Sequence, residues 1–287
     1  MRTGIVGLGA MGVGMARNLA KAGQLVAVYN RTPSKAEQLG NELNVKACQS
    51  LAELAQQTDL IITCVSADQD VIDVINGLLP GLSGGNIVVD TSTVSSNTAI
   101  QIAGLLSQHA IGFLDAPVSG GVEGARLGTL AMMVGGDATI FDRARPVLAS
   151  IAKRISHLGP HGAGQACKAV NQIMVAGINQ AVCEALAFAE AQQLDLHQVI
   201  DVIASGAAGN WFLDHRGHTM TDNEYGVGFK LALHHKDLVI CQQMAQASGL
   251  SIPISHNTLI DYAQLMQQGY GDDDISGLFR LKRPSKH

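Results

Sequence analysis

Short apolar runs punctuate the first half of the chain, at 3–6, 25–29, 60–65, 86–90, 113–115 and 130–134. Each has the length of a strand and is apolar or β-branched. Between most of them lie stretches with helical spacing of apolar positions, for instance 11–21, 34–42, 51–57 and 95–108. Ser50 with Glu53 gives the third of these a capping-box start. Strand and helix alternating at this spacing predict a mostly parallel sheet with helices on both faces. A further run at 154–158 closes the unit.

The pattern changes after Gly159-Pro160-His161-Gly162. Residues 163–193 contain no proline and are rich in Ala, Ile, Val and Leu. As one helix they would extend about 45 Å, long enough to serve as a spine between two lobes. The stretches 196–204, 230–248 and 254–268 also read as helices, with loops around 206–210 and 269–274. No strand signal of comparable quality appears there. The expected division is a sheet domain over 1–161 and an all-helical domain over 162–287, begun by the long interdomain helix.

The first strand runs straight into Gly7-Leu8-Gly9-Ala10-Met11-Gly12, a G-x-G-x-x-G motif followed by a helix pattern. In that setting Gly7 permits the sharp turn, Gly9 lets backbone approach a pyrophosphate and Gly12 lets helix and strand pack closely. The free amides of the helix start favour phosphate. The α/β half therefore reads as a Rossmann-type dinucleotide-binding domain. An NAD site places a carboxylate at the end of the second strand, on the ribose hydroxyls. Here that position reads Tyr29-Asn30-Arg31-Thr32. Arg31 can bond a 2′-phosphate in paired fashion, with Asn30 and Thr32 as neutral donors. NADP(H) is the expected cofactor, with NAD(H) possible.

Composition narrows the classes. Of 287 residues, 47% are hydrophobic and 15% charged, which excludes a disordered chain. The net charge of −5 offers no basic excess for nucleic acid, and no apolar run looks free enough of polar groups to span a membrane. Five scattered cysteines without a Cys-x-x-Cys fit a reducing compartment. With a strand from Thr3 onward leaving no room for a signal peptide, the expected location is cytoplasmic. Ser285, Lys286 and His287 read as a frayed tail. No metal site is expected: His215, His218, His234 and His235 read as surface or cleft histidines without a convincing third ligand. Asp272-Asp273-Asp274 reads as a solvated loop, and Trp211 as packing of the helical lobe or a substrate wall.

Four segments, in order and spacing, resemble the β-hydroxyacid dehydrogenase family, which includes 3-hydroxyisobutyrate dehydrogenase, tartronate semialdehyde reductase (2-hydroxy-3-oxopropionate reductase) and glyoxylate/succinic semialdehyde reductases. They are 7–18 (GLGAMGVGMARN), 115–121 (DAPVSGG), 162–172 (GAGQACKAVNQ), and Gly228-Phe229 through His235-Lys236-Asp237-Leu238. The resemblance implies hydride exchange between nicotinamide and the carbinol carbon of a small β-hydroxyacid. It implies that Lys168 is the catalytic lysine and that Ser119, Gly120 and Gly121 hold substrate. It places Thr93 near nicotinamide and substrate, Val65 and Ser66 in the cofactor loop, and Lys236 and Asp237 near the cofactor, with Phe229 lining the cleft. The family's asparagine four residues after the lysine is Gln172 here, with Asn171 one position earlier, as in tartronate semialdehyde reductases.

The residues support that chemistry. Reduction of a carbonyl needs a proton donor, and the positive end of a helix and a desolvated cleft both disfavour the ammonium form of Lys168. Asn171 and Gln172, at i+3 and i+4, can orient substrate. Successive amides of Ser119-Gly120-Gly121 make an anion nest. The expected protein is an NADP-preferring oxidoreductase of small β-hydroxyacids or semialdehydes. It is expected to be a homo-oligomer, dimer or tetramer, because the long apolar helix exceeds what one lobe covers. The alternatives are a non-catalytic dinucleotide-binding scaffold or sensor, and an imine reductase, against which Lys168 argues.

Overall fold

The computed structural model describes residues 1–226 and 228–283. The tail reading at Ser285, Lys286 and His287 lies outside them. The chain divides into two compact units, Met1–Lys168 and Ala169–His287.

The first unit runs β1 (Thr3–Val6), α1 (Ala10–Lys21), β2 (Leu25–Tyr29), α2 (Pro33–Leu43), β3 (Lys46–Ala47), α3 (Leu51–Gln57), β4 (Leu60–Thr63), α4 (Asp68–Leu78) and β5 (Ile87–Asp90). It continues α5 (Ser96–Ser107), β6 (Gly112–Asp115), β7 (Val118–Ser119), α6 (Gly121–Leu127), β8 (Leu130–Gly136), α7 (Ala138–Leu148) and β9 (Ala152–Gly159). The strand order is β3-β2-β1-β4-β5-β6-β8-β7, with β9 beside β8. From β3 to β6 every pairing is parallel. β8 is antiparallel to β6 and β7 and parallel to β9. The six parallel strands have the order of a dinucleotide-binding sheet, which binds outside the carboxyl ends of the strands where the order reverses. Here that reversal lies between β1 and β4.

Both faces of the sheet are covered, so its central strands are buried throughout and read as unbroken apolar runs. Alternate residues supply two cores. Ile5, Leu60, Ile62, Ile87 and Val89 join one cluster, and Val6, Ile61 and Val88 join the other. The capping box forms at α3: Ser50 Oγ accepts from the Glu53 amide at 3.1 Å. Its reciprocal bond lands one residue early, from the Gln49 amide to Glu53 Oε2 at 2.7 Å.

The long helix α8 (Ala163–Ala191) begins in the first unit and continues into the second. There follow α9 (Leu196–Ala204), α10 (Trp211–Thr221), α11 (Leu231–Ala247), α12 (Pro253–Gln267) and the short α13 (Phe279–Lys282). By length and composition alone α8 could cross a membrane, but 50% of its most apolar window is buried inside the fold. Within the second unit its polar residues are bonded: Asn179 donates to Tyr262 Oη at 2.9 Å and to the Ile275 carbonyl at 2.8 Å. The core of this unit gathers Leu186, Phe212, Met220, Leu238, Tyr262 and Phe279.

Candidate active site

The glycine turn leaves β1 with each glycine meeting a different constraint. Gly7 has φ +92°, and a Cβ there would lie 2.2 Å from the Cys64 carbonyl oxygen. A Cβ on Gly12 would lie 1.9 Å from the Gly7 oxygen. Gly9 is different: a Cβ there would meet nothing within 4 Å. The space beside Gly9 is open, and α1 starts at Ala10, followed by Met11, without a side-chain cap or an acidic residue in its first turn. Uncapped amides facing open space fit a pyrophosphate. Asn30, at the end of β2, supports this turn: its Oδ1 accepts from the Leu8 amide at 2.9 Å and its Nδ2 donates to the Thr32 carbonyl at 3.1 Å. Thr32 and Arg31 are exposed. The Arg31 side chain is 90% exposed, and its guanidinium lies 3.1 Å from Asp70, in the first turn of α4.

Across the order reversal, Val65 follows β4 and Ser66 is exposed beside it. The Val65 amide donates to Ser92 Oγ at 2.9 Å, and that hydroxyl donates to Asp90 Oδ1 at 2.7 Å. Thr63 Oγ1 also donates to Asp90 Oδ1, at 2.6 Å. Asp90 Oδ2 is buried with no hydrogen-bond partner. Burial raises the Asp90 carboxyl above its usual range, and pushes the nearby Cys64 thiol up to about 11. Thr93, half-buried, sits in the loop that follows β5 from Thr91.

Ser119 ends β7, and Gly120 and Gly121 take φ +125° and +62°, values that favour glycine at both places. The helix they open, α6, is fastened to α1. A Cβ on Gly14 would fall 2.8 Å from Ala125 backbone. Asn18 Nδ2 donates to the carbonyls of Ala125 at 2.7 Å and Arg126 at 3.3 Å. The glycine-turn helix and the Ser119 loop thus share one support. Lys168, on α8, is 7% exposed, and its Nζ donates to the Val118 carbonyl at 3.0 Å. Two buried residues that the sequence reading passed over hold the start of α8. Asp115 accepts from the amides of Gly162 and Gln165, and the Gln165 side chain bonds the 92–94 loop. Their signal was present as a DAP and a GAGQ in the two resembling segments, but which groups they bond requires the fold.

In the second unit the expected residues form one chain of bonds. Asn171 Nδ2 donates to Gln172 Oε1 at 2.7 Å, and Gln172 Nε2 donates to Asp237 Oδ2 at 2.7 Å. Lys236 Nζ lies 2.9 Å from Asp237 Oδ1. Gln172 is 1% exposed, whereas Asn171 is only half-buried. Phe229 is half-buried, its ring tilted on His234 at 5.4 Å.

Three sequence expectations need correction. His234 is fully buried, between Tyr262 Oη at 3.1 Å and the Gln172 carbonyl at 3.2 Å, and is neither a surface nor a cleft residue. Asp274 is a buried knot, accepting from the amides of Gly228, Phe229 and Ser276, so only its neighbours Asp272 and Asp273 lie toward solvent, paired with Lys230 and Arg280. Of the two readings of Trp211, packing inside the helical lobe gives way, since the residue is 62% exposed and stacks on His215 at 4.2 Å. Among the described residues no group of three or more His, Cys, Asp or Glu could hold a metal ion.

Comparison with known proteins bears on both units. Residues 2–159 match the NAD binding domain of 6-phosphogluconate dehydrogenase. Residues 162–282 match the NAD-binding domain of NADP-dependent 3-hydroxyisobutyrate dehydrogenase. The chain is 37% identical to a 2-hydroxy-3-oxopropionate reductase of Escherichia coli, over 88% of this chain and 87% of that protein. It is 34% identical to an NAD-dependent L-serine dehydrogenase of Pseudomonas aeruginosa, over 98% and 97%. Its fold matches the solved 3-hydroxyisobutyrate dehydrogenase of Mycobacterium tuberculosis, studied with L-serine, at a TM-score of 0.90 and 32% identity, covering 98% and 99% of the two chains. The uncapped glycine turn on a 3-2-1-4-5-6 sheet, the helical second unit and these likenesses agree: the chain belongs to the β-hydroxyacid dehydrogenase family and is an NAD(P)-dependent oxidoreductase acting on CH–OH groups.

Proposed function

We propose that the chain is an NADP-preferring reductase of a small β-hydroxyacid or semialdehyde pair, with Lys168 as general acid/base. The substrate is of the 3-hydroxyisobutyrate, tartronate semialdehyde, succinic semialdehyde or glyoxylate type. L-serine, itself a β-hydroxyacid, joins this class through the names of two relatives. The observation that carries the reading is the burial of Lys168 with its Nζ on the Val118 carbonyl, one residue from Ser119. Bound NADPH supplies the hydride. The glycine turn of Gly7, Gly9 and Gly12, with Leu8, Ala10 and Met11, holds its pyrophosphate, and Arg31 reads the 2′-phosphate. Val65, Ser66, Thr93, Phe229, Lys236 and Asp237 complete the cofactor contacts. Ser119, Gly120 and Gly121 bind the substrate carboxylate and hydroxyl, and Lys168 gives its proton to the oxygen on which negative charge develops.

Of the two amides, Asn171 is the one that orients substrate. Gln172 is buried and committed to Asp237 and Asn171, so it serves as the support behind its neighbour. Preference for NADP(H), the reduced form dominating, points the reaction toward reduction, with NAD(H) used less well. The second unit serves substrate binding and assembly. On α8, Val170, Met174 and Phe188 are exposed apolar residues, Phe188 by 67%. A second copy covers them in a homo-oligomer, dimer or tetramer, of the cytoplasm, and light scattering that finds a monomer at micromolar concentration would overturn this part. Turnover is tested on a panel of semialdehydes, glyoxylate, β-hydroxyacids and L-serine, each with NADP(H) and NAD(H). Absence of turnover on the whole panel would return the chain to a binding role.

A further inference from the structure

The start of α8 carries no cap of its own. Gly162 stands just before the first helical residue, has φ +89° and offers no side chain. A capping box would satisfy the amide at this position and the amide three residues on, using side chains from those same two places. Gln165, three residues on, is turned elsewhere: its Nε2 donates to the Ser92 carbonyl at 2.9 Å and its Oε1 accepts from the Val94 amide at 3.2 Å. Both amides are instead taken by one carboxylate from another element. Asp115, the last residue of β6, accepts from Gly162 N at 2.8 Å through Oδ1 and from Gln165 N at 3.1 Å through Oδ2. Glycines make the room for it. A Cβ on Gly135 would lie 2.6 Å from Asp115 Oδ1, and one on Gly164 would lie 2.5 Å from the Asp115 carbonyl.

A second tie repeats the first three residues along both segments. Asp115 leads through Ala116 and Pro117 to Val118, and Gln165 leads to Lys168. The Val118 carbonyl accepts from Lys168 Nζ at 3.0 Å. One extended segment therefore grips the helix at two successive turns, first by a carboxylate on the helix amides and then by a carbonyl on the lysine.

We propose that Asp115 is a positioning residue: by capping α8 from β6 it sets the height and rotation of the helix that place Lys168 Nζ on Val118 O. The same cap releases Gln165 to hold the loop that carries Thr93. This inference rests on Lys168 being the general acid/base.

The test is a double-mutant cycle on the full chain, with NADPH and the best substrate of the panel. Asp115→Asn keeps the volume but can accept only one of the two N–H groups, because its own NH2 meets the other. We expect kcat to fall at least about tenfold, since a misplacement of about 1 Å can cost about 100-fold. NADPH affinity by fluorescence titration should move less than about threefold, and the substrate KM less than kcat. In a Lys168→Ala background, Asp115→Asn should cost almost nothing further in kcat, because the group it places is gone. A full additional loss in that background, or an unchanged kcat beside a lowered Tm, overturns the proposal. If Asp115→Asn does not fold, Asp115→Ser takes its place, and failure of both to fold assigns the carboxylate to stability alone and equally overturns it. Near wild-type kcat in Lys168→Ala overturns the assignment of the acid instead, a separate result from the same cycle.

Discussion

Lys168 Nζ donates to the Val118 main-chain oxygen at 3.0 Å, so the buried lysine nitrogen is bonded one residue from Ser119. A surface lysine would gain nothing from such a bond. A buried one does gain from it, because polar groups in low dielectric are costly unless hydrogen-bonded. If this group protonates the substrate oxygen, Lys168→Ala should lower kcat by at least about 100-fold, the scale of a positioned acid or base. NADPH titration should change little, since the glycine turn is untouched. Lys168→Arg should fail to rescue, because a guanidinium does not release its proton near neutral pH. Steady-state rates at saturating cofactor decide the matter.

Arg31 should separate the two cofactors. Its guanidinium is exposed and lies 3.1 Å from Asp70, while Asn30 is occupied by the Leu8 amide. An exposed pair of this kind is worth little, about 1 kcal/mol or less, so Arg31 can leave it for a phosphate at small cost. A charge-assisted bond to the 2′-phosphate contributes about 1.5–3 kcal/mol. Arg31→Ala should therefore reduce kcat/KM with NADPH by about 10- to 100-fold and leave the NADH value nearly unchanged. Equal losses with both cofactors would remove Arg31 from 2′-phosphate recognition.

Asn18 predicts a stability effect. Its amide bridges from α1 to the last carbonyls of α6, those of Ala125 and Arg126. Asn18→Ala leaves these oxygens without that donor and should cost about 1–3 kcal/mol. Urea unfolding with an unchanged m-value would report it. A loss within experimental error would mean that Gly14 packing alone holds the two helices.

What the sequence made legible follows from which physics is local. Strands such as Ile87–Asp90 and Leu60–Thr63 are apolar because both faces of the sheet are covered, and that leaves a contiguous signature. The glycine turn is local in part: Gly12 answers to the Gly7 oxygen five residues back and Gly7 takes φ +92° in the turn itself, although the atoms a Cβ on Gly7 would meet belong to the distant Cys64. Helix α10 left no comparable signal. Its residues Phe212, Leu213, Gly217 and Met220 are buried beside polar ones, and Gly217 packs closely on Ile200, whose side chain a Cβ would meet at 3.2 Å. Asp274 and His234 were misjudged for the same reason: charge and polarity in a sequence suggest solvent, but amides and hydroxyls from distant segments satisfy both residues. Asp115 and Gln165 carry no local sign of their role, because their partners lie 47 to 73 residues away.

Asp90, the last residue of β5, offers a pH signature. Its Oδ1 accepts from Thr63 Oγ1, Ser92 Oγ and the Ser92 amide, while Oδ2 is buried without a partner. Burial is the largest influence and raises the carboxyl above its usual range, despite those three donors. The unfolded chain releases this proton near the ordinary aspartate value of about 3.9. The folded protein therefore holds the proton to higher pH than the unfolded chain does. Its contribution to stability is fully present below about pH 3.9 and is lost as pH rises through the folded value. Asp90→Asn keeps an oxygen for the three donors and carries no charge, so the variant should lack this decline. In urea unfolding followed from about pH 4 upward, the stability of Asp90→Asn relative to wild type should rise with pH and then level off. A difference that stays constant over that range would mean that Asp90 ionises alike in the folded and unfolded chains, and that its unpaired oxygen is not held as an acid.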